Sequence, residues 1–384
     1  MDAVNQKDLK LCILGGGQLG KMLIEAASDW NIQCFVLDPD PHCSCAHLAT
    51  EFTCGNFSDF DTVYNFCQKA DKVTIEIEHV NAEALLLLQK EGKQIYPDPS
   101  ALQIIQDKGK QKAFFEDNAL PTSNFQIIET KDELLELLSE EKINFPFVQK
   151  SCKAGYDGKG VCVVRTKPDS RELLDGESVI EDLVEIDKEL SVIAVRNSTG
   201  ITLCFPPVEM EFHPTANLVE YLHAPAGISE RHRQLAEDIA VKTVTAFQIT
   251  GILAVEMFLT KKGEILINEV APRPHNSGHH TIEANYVSQY QQLLRCIFDI
   301  PLGATELRSP AIMVNLLGEA GYQGEAKYYG LKECLSMQGV YVHLYGKKMT
   351  KPFRKMGHVT ILAENISAAK EKAKFIKDTL KVIA

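Results

Sequence analysis

No stretch of the chain is apolar for long enough to cross a bilayer. The longest purely aliphatic run, Ala84 to Leu88, has five residues, against about 20 for a spanning helix. The segment Met1 to Lys10 lacks the apolar core of a secretory leader, so a cytoplasmic location and no membrane partner are expected. Positive charge is short: 40 lysines and arginines stand against 52 aspartates and glutamates, a net charge of −12. That argues against a nucleic-acid partner, because duplex binding needs a basic face to displace counterions. The 11 cysteines are odd in number and form no CxxC pair, and the 11 histidines include no HExxH. Reduced thiols in a cytosolic protein are expected, and thiolate–metal chemistry is set aside. Repeats and low-complexity tracts are missing too. What is present, 384 residues with 45% hydrophobic and 24% charged, is the composition of a folded protein of two or three domains.

The first hundred residues alternate short apolar runs with amphipathic ones. Strands are expected at Lys10 to Leu14, Gln33 to Asp38 and Lys72 to Ile77, with helices at Gln18 to Asp29 and Asn81 to Lys90. That βαβ rhythm implies a parallel sheet. Pro97-Asp98-Pro99-Ser100 breaks it, with Ser100 a candidate helix cap, and a boundary is placed there. From about 101 to 299 the pattern becomes mixed α+β. Strands are expected at 144–150, 161–165, 178–183, 189–195 and 201–208, then a helix at 229–247 and a hairpin. A third section, 300–384, carries two strands and a closing lysine-rich helix.

Gly15, Gly17 and Gly20 fit G-x-G-x-x-G after a strand, with Asp38 ending the next. Such glycines let a backbone approach a phosphate at a helix N-terminus, and a dinucleotide is one of several phosphates that would suit. The second glycine-rich segment, KSCKAGYDGKG from Lys150 to Gly160, is more specific. A hairpin with Lys153 and Lys159 can fold over a triphosphate while Lys150 points a charge at it. Asp157 is out of place in a phosphate cradle and hints at contact with an acceptor amine.

Two strands flank a turn at Lys262-Gly263. If that turn pairs 261 with 264, Glu256 falls opposite Glu269; a one-residue slip would leave them diagonal. Facing carboxylates among Val255, Met257, Leu266 and Ile267 repel unless a hard cation lies between them, and Mg²⁺ is held by one or two carboxylates plus substrate phosphates. Arg273, His275 and Asn276 follow as donors suited to an anionic intermediate. Between Lys347 and Lys355 lie five cations in nine residues (Lys347, Lys348, Lys351, Arg354, Lys355), a candidate anion site in an acidic chain.

The motifs GGGQLGK at 15–21, QKSCKAGYDGKG at 149–160, INEVAPRPHNSGHHTIEA at 267–284 and YGKKMTKPFRKMGH at 345–358 resemble those of the 5-(carboxyamino)imidazole ribonucleotide synthases, from about residue 10 to 362. The resemblance implies an ATP-grasp architecture of mixed α/β and α+β class. A Rossmann-like domain over 1–100 would precede an ATP-grasp domain over 101–299 and a small domain over 300–384. It implies ATP, bicarbonate and 5-aminoimidazole ribonucleotide as substrates, Mg²⁺ (or Mn²⁺) as cofactor, and a homodimer. Lys108 and Lys150 would contact ATP phosphates under a cover of Gly155, Tyr156, Asp157, Gly158, Lys159 and Gly160. Glu181, Asp182, Leu183 and Val184 would meet adenine and Glu189 the ribose. His213 would line the nucleotide site, and Asn268 would sit beside Mg²⁺ on Glu256 and Glu269. The ribonucleotide would take Gln18, Leu19, Arg273, His275, Asn276, Lys347, Arg354 and Lys355, with Asp157 near its amine and Glu78 a further contact. Catalysis would fall to Asp157, Arg273, His275 and Lys347. Lys21 stands where the family often has arginine, and Phe353 where it often has glycine.

A related ligase or formyltransferase acting on another ribonucleotide amine would share the nucleotide half of this set. A nicotinamide-dependent oxidoreductase would use only Gly15, Gly17, Gly20 and Asp38.

Overall fold

The computed structural model describes residues 9–153, 160–167, 172–212 and 218–384. Apolar runs at the start of the chain become β1 (Lys10–Leu14), β2 (Gln33–Asp38), β3 (Glu51–Cys54), β4 (Lys72–Ile75) and β5 (Gln94–Tyr96). They form one sheet, ordered β3-β2-β1-β4-β5, with every pairing parallel. β1 is buried from Leu11 to Leu14, as a strand covered on both faces must be. The helix Gln18–Ser28 lies against one face, and Phe60–Phe66 and Ala82–Lys90 lie against the other. Asn81 caps the last of these, its side chain accepting from Ala84 N. At the expected boundary, Asp98 and not Ser100 is the cap: its carboxylate accepts from Ser100 N at 2.8 Å. Pro99, whose ring supplies no N–H, opens the helix Pro99–Ile105.

A second, antiparallel sheet holds β6 (Phe125–Ile128), β7 (Phe147–Ser151), β8 (Val161–Val164) and β9 (Ser178–Asp182) in the order β6-β9-β7-β8. The link Leu183 to Glu185 leads into the largest sheet through β10 (Ile186–Arg196). β11 (Thr202–Cys204), β12 (Val208–Phe212) and β13 (Val219–Ala224) follow. Pro206 and Pro207 split the single strand expected over 201–208, since proline cannot donate to a ladder. β14 (Gly251–Thr260) and β15 (Ile265–Ala271) make the hairpin, and β16 (Ala311–Leu317) continues the sheet into the last section. There Lys355–Leu362 and Val340–Leu344 extend it, giving the path β15-β14-β10-β12-β13-β16 and then those two strands. The closing helix Ile366–Thr379 packs on β16 and buries Ala369, Ala373 and Ile376.

One hydrophobic cluster joins all three sections. It packs Leu19, Met22 and Leu23 against Ile252, Tyr290 and Leu293, with Tyr345 alongside. The site described next stands on β10 and β14, the strands that carry Ile193 and Ala254 of this cluster.

Candidate functional site

The hairpin sets Glu256 directly opposite Glu269, although not through the expected turn. Thr260 N donates to Glu264 O at 2.8 Å, so the loop is Lys261 to Gly263, one residue longer, with Gly263 at φ 81°. Such three-residue loops favour glycine at the left-handed position. Near the turn the pairs are therefore displaced, Met257 facing Ile267. A bulge at Asn268 inserts the missing residue and brings the two carboxylates level. Bulges re-aim side chains, and here Asn268 Oδ1 accepts from Lys150 Nζ at 2.8 Å.

Ser191 on β10 pairs with Glu256, so Ser191, Glu256 and Glu269 form a row across one sheet face. Glu189, two residues back on β10, shares that face, and burial pushes its carboxyl up to about 7. Lys108 forms an ion pair with Glu269 and holds that carboxyl below its ordinary range. Burial, reinforced by the charges of Glu269 and Glu189, pushes Glu256 the other way. A donor set of two facing carboxylates with an amide oxygen beside them is all oxygen and suits a hard divalent cation. Among the described residues no group of three or more His, Cys, Asp and Glu side chains is arranged to hold a metal unaided. Phosphate oxygens would have to complete the shell.

The small sheet faces this row. Glu181, almost fully buried on β9, accepts from Lys112 Nζ at 2.9 Å and from Ser123 Oγ at 2.6 Å through one oxygen, and its other oxygen forms an ion pair with Lys150 Nζ at 2.9 Å. Burial alone would raise its carboxyl; the two lysines and the serine outweigh that and hold it at about 2. At Lys112 burial wins instead and pushes the amine down to about 8. Leu183 and Val184 lie in the link between the two sheets, while the Asp182 carboxylate accepts from Asn124 Nδ2 at 2.8 Å. Gly160 ends the second glycine segment at φ 72°. Gly155, Tyr156, Asp157, Gly158, Lys159 and His213 lie outside the described residues.

On the other side of the carboxylates, His275 Nε2 is 3.2 Å from Glu256 Oε1. His275 Nδ1 accepts from Ser277 N at 3.3 Å and lies 2.9 Å from Ser277 Oγ, which contacts Ser191 Oγ at 2.7 Å. A ring whose Nδ1 accepts carries its proton on Nε2, so His275 donates toward Glu256. The Gln289 side chain clamps the His275 backbone from both sides, accepting from its N and donating to its O at 2.8 Å each. Asn276 follows in a short turn, and its Oδ1 is buried without a hydrogen-bond partner among the described residues. Arg273 reaches back to the first domain, where its Nη2 pairs with Glu78 Oε1 at 2.7 Å. From the last section, Lys347 Nζ donates to Lys355 O at 2.9 Å and Arg354 Nη1 to Met349 O at 2.7 Å. The charge of Lys355 bears on Glu256 and on the buried imidazole of His279.

The first glycine loop departs from expectation. Glu76, at the end of β4, accepts from Gly17 N at 2.9 Å, Leu19 N at 3.1 Å and Gly20 N at 3.0 Å. Asp38 accepts from Gly16 N at 2.7 Å. The chain's own carboxylates fill the anion slot at the helix N-terminus, which overturns its reading as a phosphate or dinucleotide turn. The glycines make room for Glu76: a Cβ on Gly15 or Gly17 would lie 2.5 Å from its side chain. Gln18 and Leu19 still stand at this loop, with the Leu19 N–H committed to Glu76.

Sequence reading also missed Lys112, Ser123, Gln289 and Glu76. Only Lys112 carried a local signal, lying one helical turn beyond Lys108.

Comparison with known proteins divides the chain in three. Residues 9–106 match the ribonucleotide synthetase preATP-grasp domain, 113–290 the ATP-grasp domain, and 311–372 the phosphoribosylaminoimidazole carboxylase C-terminal domain. The N5-carboxyaminoimidazole ribonucleotide synthase of Bacillus subtilis is 35% identical over 92% of this chain and 91% of its own length. The chain spans less of some relatives: 64% of the chloroplastic phosphoribosylaminoimidazole carboxylase of Vigna aconitifolia, at 36% identity. Among solved structures, the N5-carboxyaminoimidazole ribonucleotide synthetase of Thermotoga maritima is 41% identical with a TM-score of 0.89, over 98% of this chain and 99% of that one. The Aspergillus clavatus N5-carboxyaminoimidazole synthase, solved with ADP and 5-aminoimidazole ribonucleotide, is 32% identical with a TM-score of 0.86, over 97% and 99%.

Proposed function

The chain belongs to the N5-carboxyaminoimidazole ribonucleotide synthase family of ATP-grasp ligases, and on that premise we propose that it carboxylates the amine of 5-aminoimidazole ribonucleotide with ATP and bicarbonate. The observation that carries this reading is that an acceptor-side donor reaches the paired carboxylates directly, His275 Nε2 lying 3.2 Å from Glu256 Oε1.

Bicarbonate is a poor electrophile, because its carbon sits between negatively charged oxygens and hydroxide leaves badly. A bicarbonate oxygen attacks the γ-phosphorus of ATP, ADP departs, and carboxyphosphate forms. The ribonucleotide amine then takes the carboxyl carbon, from carboxyphosphate or from CO₂ released by it, and phosphate leaves. Lys108 and Lys150 hold the ATP phosphates, and Lys150 is aimed by Glu181 and Asn268. Glu189 is the ribose contact. Glu256 and Glu269 would hold Mg²⁺, for which Mn²⁺ can substitute; when bound, the cation offsets charge on the β- and γ-phosphate oxygens. Arg273, fixed by Glu78, and His275, its backbone held by Gln289 and its Nδ1 by Ser277, donate to the carboxyphosphate oxygens, the His275 Nε2–H exchanging Glu256 for them. Lys347, Arg354 and Lys355 take the phosphate of the ribonucleotide. Asp157 accepts from the acceptor amine. Keeping these species together in a site shielded from water converts collision into positioning.

ADP release with MgATP, omitting bicarbonate and the ribonucleotide in turn, tests the reaction. Rapid release should need the ribonucleotide, and the carboxylated product should appear only with bicarbonate. Turnover that ignores the ribonucleotide would reject the acceptor assignment. Lys347→Ala should raise the KM for the ribonucleotide ~10–100-fold, the worth of one charge-assisted hydrogen bond, and leave the KM for ATP near its starting value. A rise in the ATP KM alone would remove Lys347 from the acceptor side.

A further inference from the structure

His275 can donate from Nε2 only while its other ring nitrogen is bare, and the fold decides which nitrogen holds the proton. The imidazole caps the short turn Asn276–Gly278, Nδ1 accepting from Ser277 N at 3.3 Å. A backbone N–H only donates, so Nδ1 carries no proton in this arrangement. Ser277 Oγ lies 2.9 Å from the same nitrogen. Two lone pairs would repel at that distance, so the hydroxyl points its proton at Nδ1. A hydroxyl has only one proton to give. The 2.7 Å contact between Ser277 Oγ and Ser191 Oγ is therefore made by the proton of Ser191. One main-chain N–H thus sets the direction of the whole chain, from Ser191 to Ser277 to His275.

The strand itself has no need of a hydroxyl at position 191. Leu190 and Val192 turn to the opposite face of β10, into an apolar core. Ser191 is 1% exposed; an unbonded hydroxyl buried that deeply costs stability, and valine would suit the strand better. Packing holds the turn against this part of β10 as well. A Cβ on Gly278 would lie 2.3 Å from Ile193 Cδ1, two residues along the face that Ser191 occupies.

We propose that Ser191 is a positioning residue for the carboxylation, acting through Ser277 to hold His275 in the tautomer that carries its proton on Nε2. This rests on the assignment of His275 as a donor to the carboxyphosphate oxygens. Without Ser191, Ser277 Oγ is released to accept from a protonated Nδ1, and only the 3.3 Å bond from Ser277 N opposes that tautomer. The ring would then turn a bare Nε2 toward an oxyanion and repel it. The donor is needed most where charge develops, so the loss falls on kcat rather than on binding.

The test compares Ser191→Ala and Ser191→Thr with the unaltered enzyme. Ser191→Ala should lower kcat ~5–10-fold, the worth of one hydrogen bond, with smaller changes in the KM for ATP and for the ribonucleotide. Ser191→Thr restores the hydroxyl and should bring kcat back. Nitrogen-15 NMR of histidine-labelled protein, at a pH where the ring is neutral, separates bare from protonated ring nitrogens, and His275→Gln identifies the signals of His275 by their loss. The unaltered enzyme should show a bare Nδ1 and a protonated Nε2, and Ser191→Ala a mixture of tautomers. Should Ser191→Ala fail to fold, Ser277→Ala breaks the next link and should give the same two readouts. A protonated Nδ1 in the unaltered enzyme, or an alanine variant with unchanged kcat or an unchanged spectrum, would overturn the proposal. Recovery of the Ser191→Ala rate by added Mg²⁺ would also overturn it, by making Ser191 a support of the neighbouring carboxylates. If His275→Gln keeps full kcat, the donor role itself fails and the proposal with it, whichever tautomer the spectrum shows.

Discussion

Glu269→Gln is expected to cut ADP release by ~10²–10³-fold at ordinary Mg²⁺, the scale of losing one preorganised charge contact in a closed site. The substitution is isosteric and leaves Glu256 in place, so the site changes in charge and hardly in shape. Two effects add. The cation loses one of two carboxylate ligands, and Lys108 loses the partner that compensates its burial. Raising Mg²⁺ should recover part of the rate, since a weakened site fills by mass action, whereas a purely structural loss would not respond. ADP release titrated with Mg²⁺, beside circular dichroism, separates the two. A fully active variant would falsify the assignment of Glu269 as a metal ligand.

Glu181→Gln is expected to be the most destabilising single change near the site. Glu181 and Lys112 are both almost wholly buried, and removing one partner of such a pair costs about 3–5 kcal/mol because the other charge stays behind. Two lysines would be left facing an amide. The pH dependence follows from the depressed carboxyl. Its folded value of about 2 lies below the ordinary glutamate value of about 4.3. The unfolded chain therefore binds the proton first, and the stabilisation is present above about 4.3 and drains as pH falls toward about 2. Denaturation midpoints of the unaltered protein should fall through that window, and those of Glu181→Gln should fall less. The same variant should raise the KM for ATP, since Lys150 loses one of the two groups that aim it. Parallel pH curves for both proteins would show that the carboxylate is not the titrating group.

Most of the first sheet was legible because parallel strands buried on both faces read as plain apolar runs: β1 and β2 were readable to the residue. β3, with no fully buried position, and β5, only three residues long, gave no such run. The hairpin shows a subtler limit. Its carboxylate pair was foreseen from a turn that is one residue too short, and the pairing holds because the bulge at Asn268 restores the register. Neither the three-residue loop nor the bulge has a period to read. In the site, residues within the local motifs could be named in advance, whereas those that orient them could not. Glu76 meets the glycine loop across 56 to 59 residues and Gln289 meets His275 across 14; such partners are set by the fold, and nothing beside them in the chain announces them.

The continuity of the large sheet has a consequence for dissecting the molecule. β13 hydrogen-bonds to β16 from Tyr221↔Val314 to Ala224↔Ala311, and Val208, Met210, Leu222, Ala284, Ala311 and Met313 share a core across that seam. A chain cut near residue 300 would turn an interior strand into a bare rim. Its N–H and C=O groups would offer a template to a second chain, beside an apolar face stripped of its cover. The last 85 residues thus act as the insulation of the catalytic sheet, and the isolated front portion should self-associate through that rim.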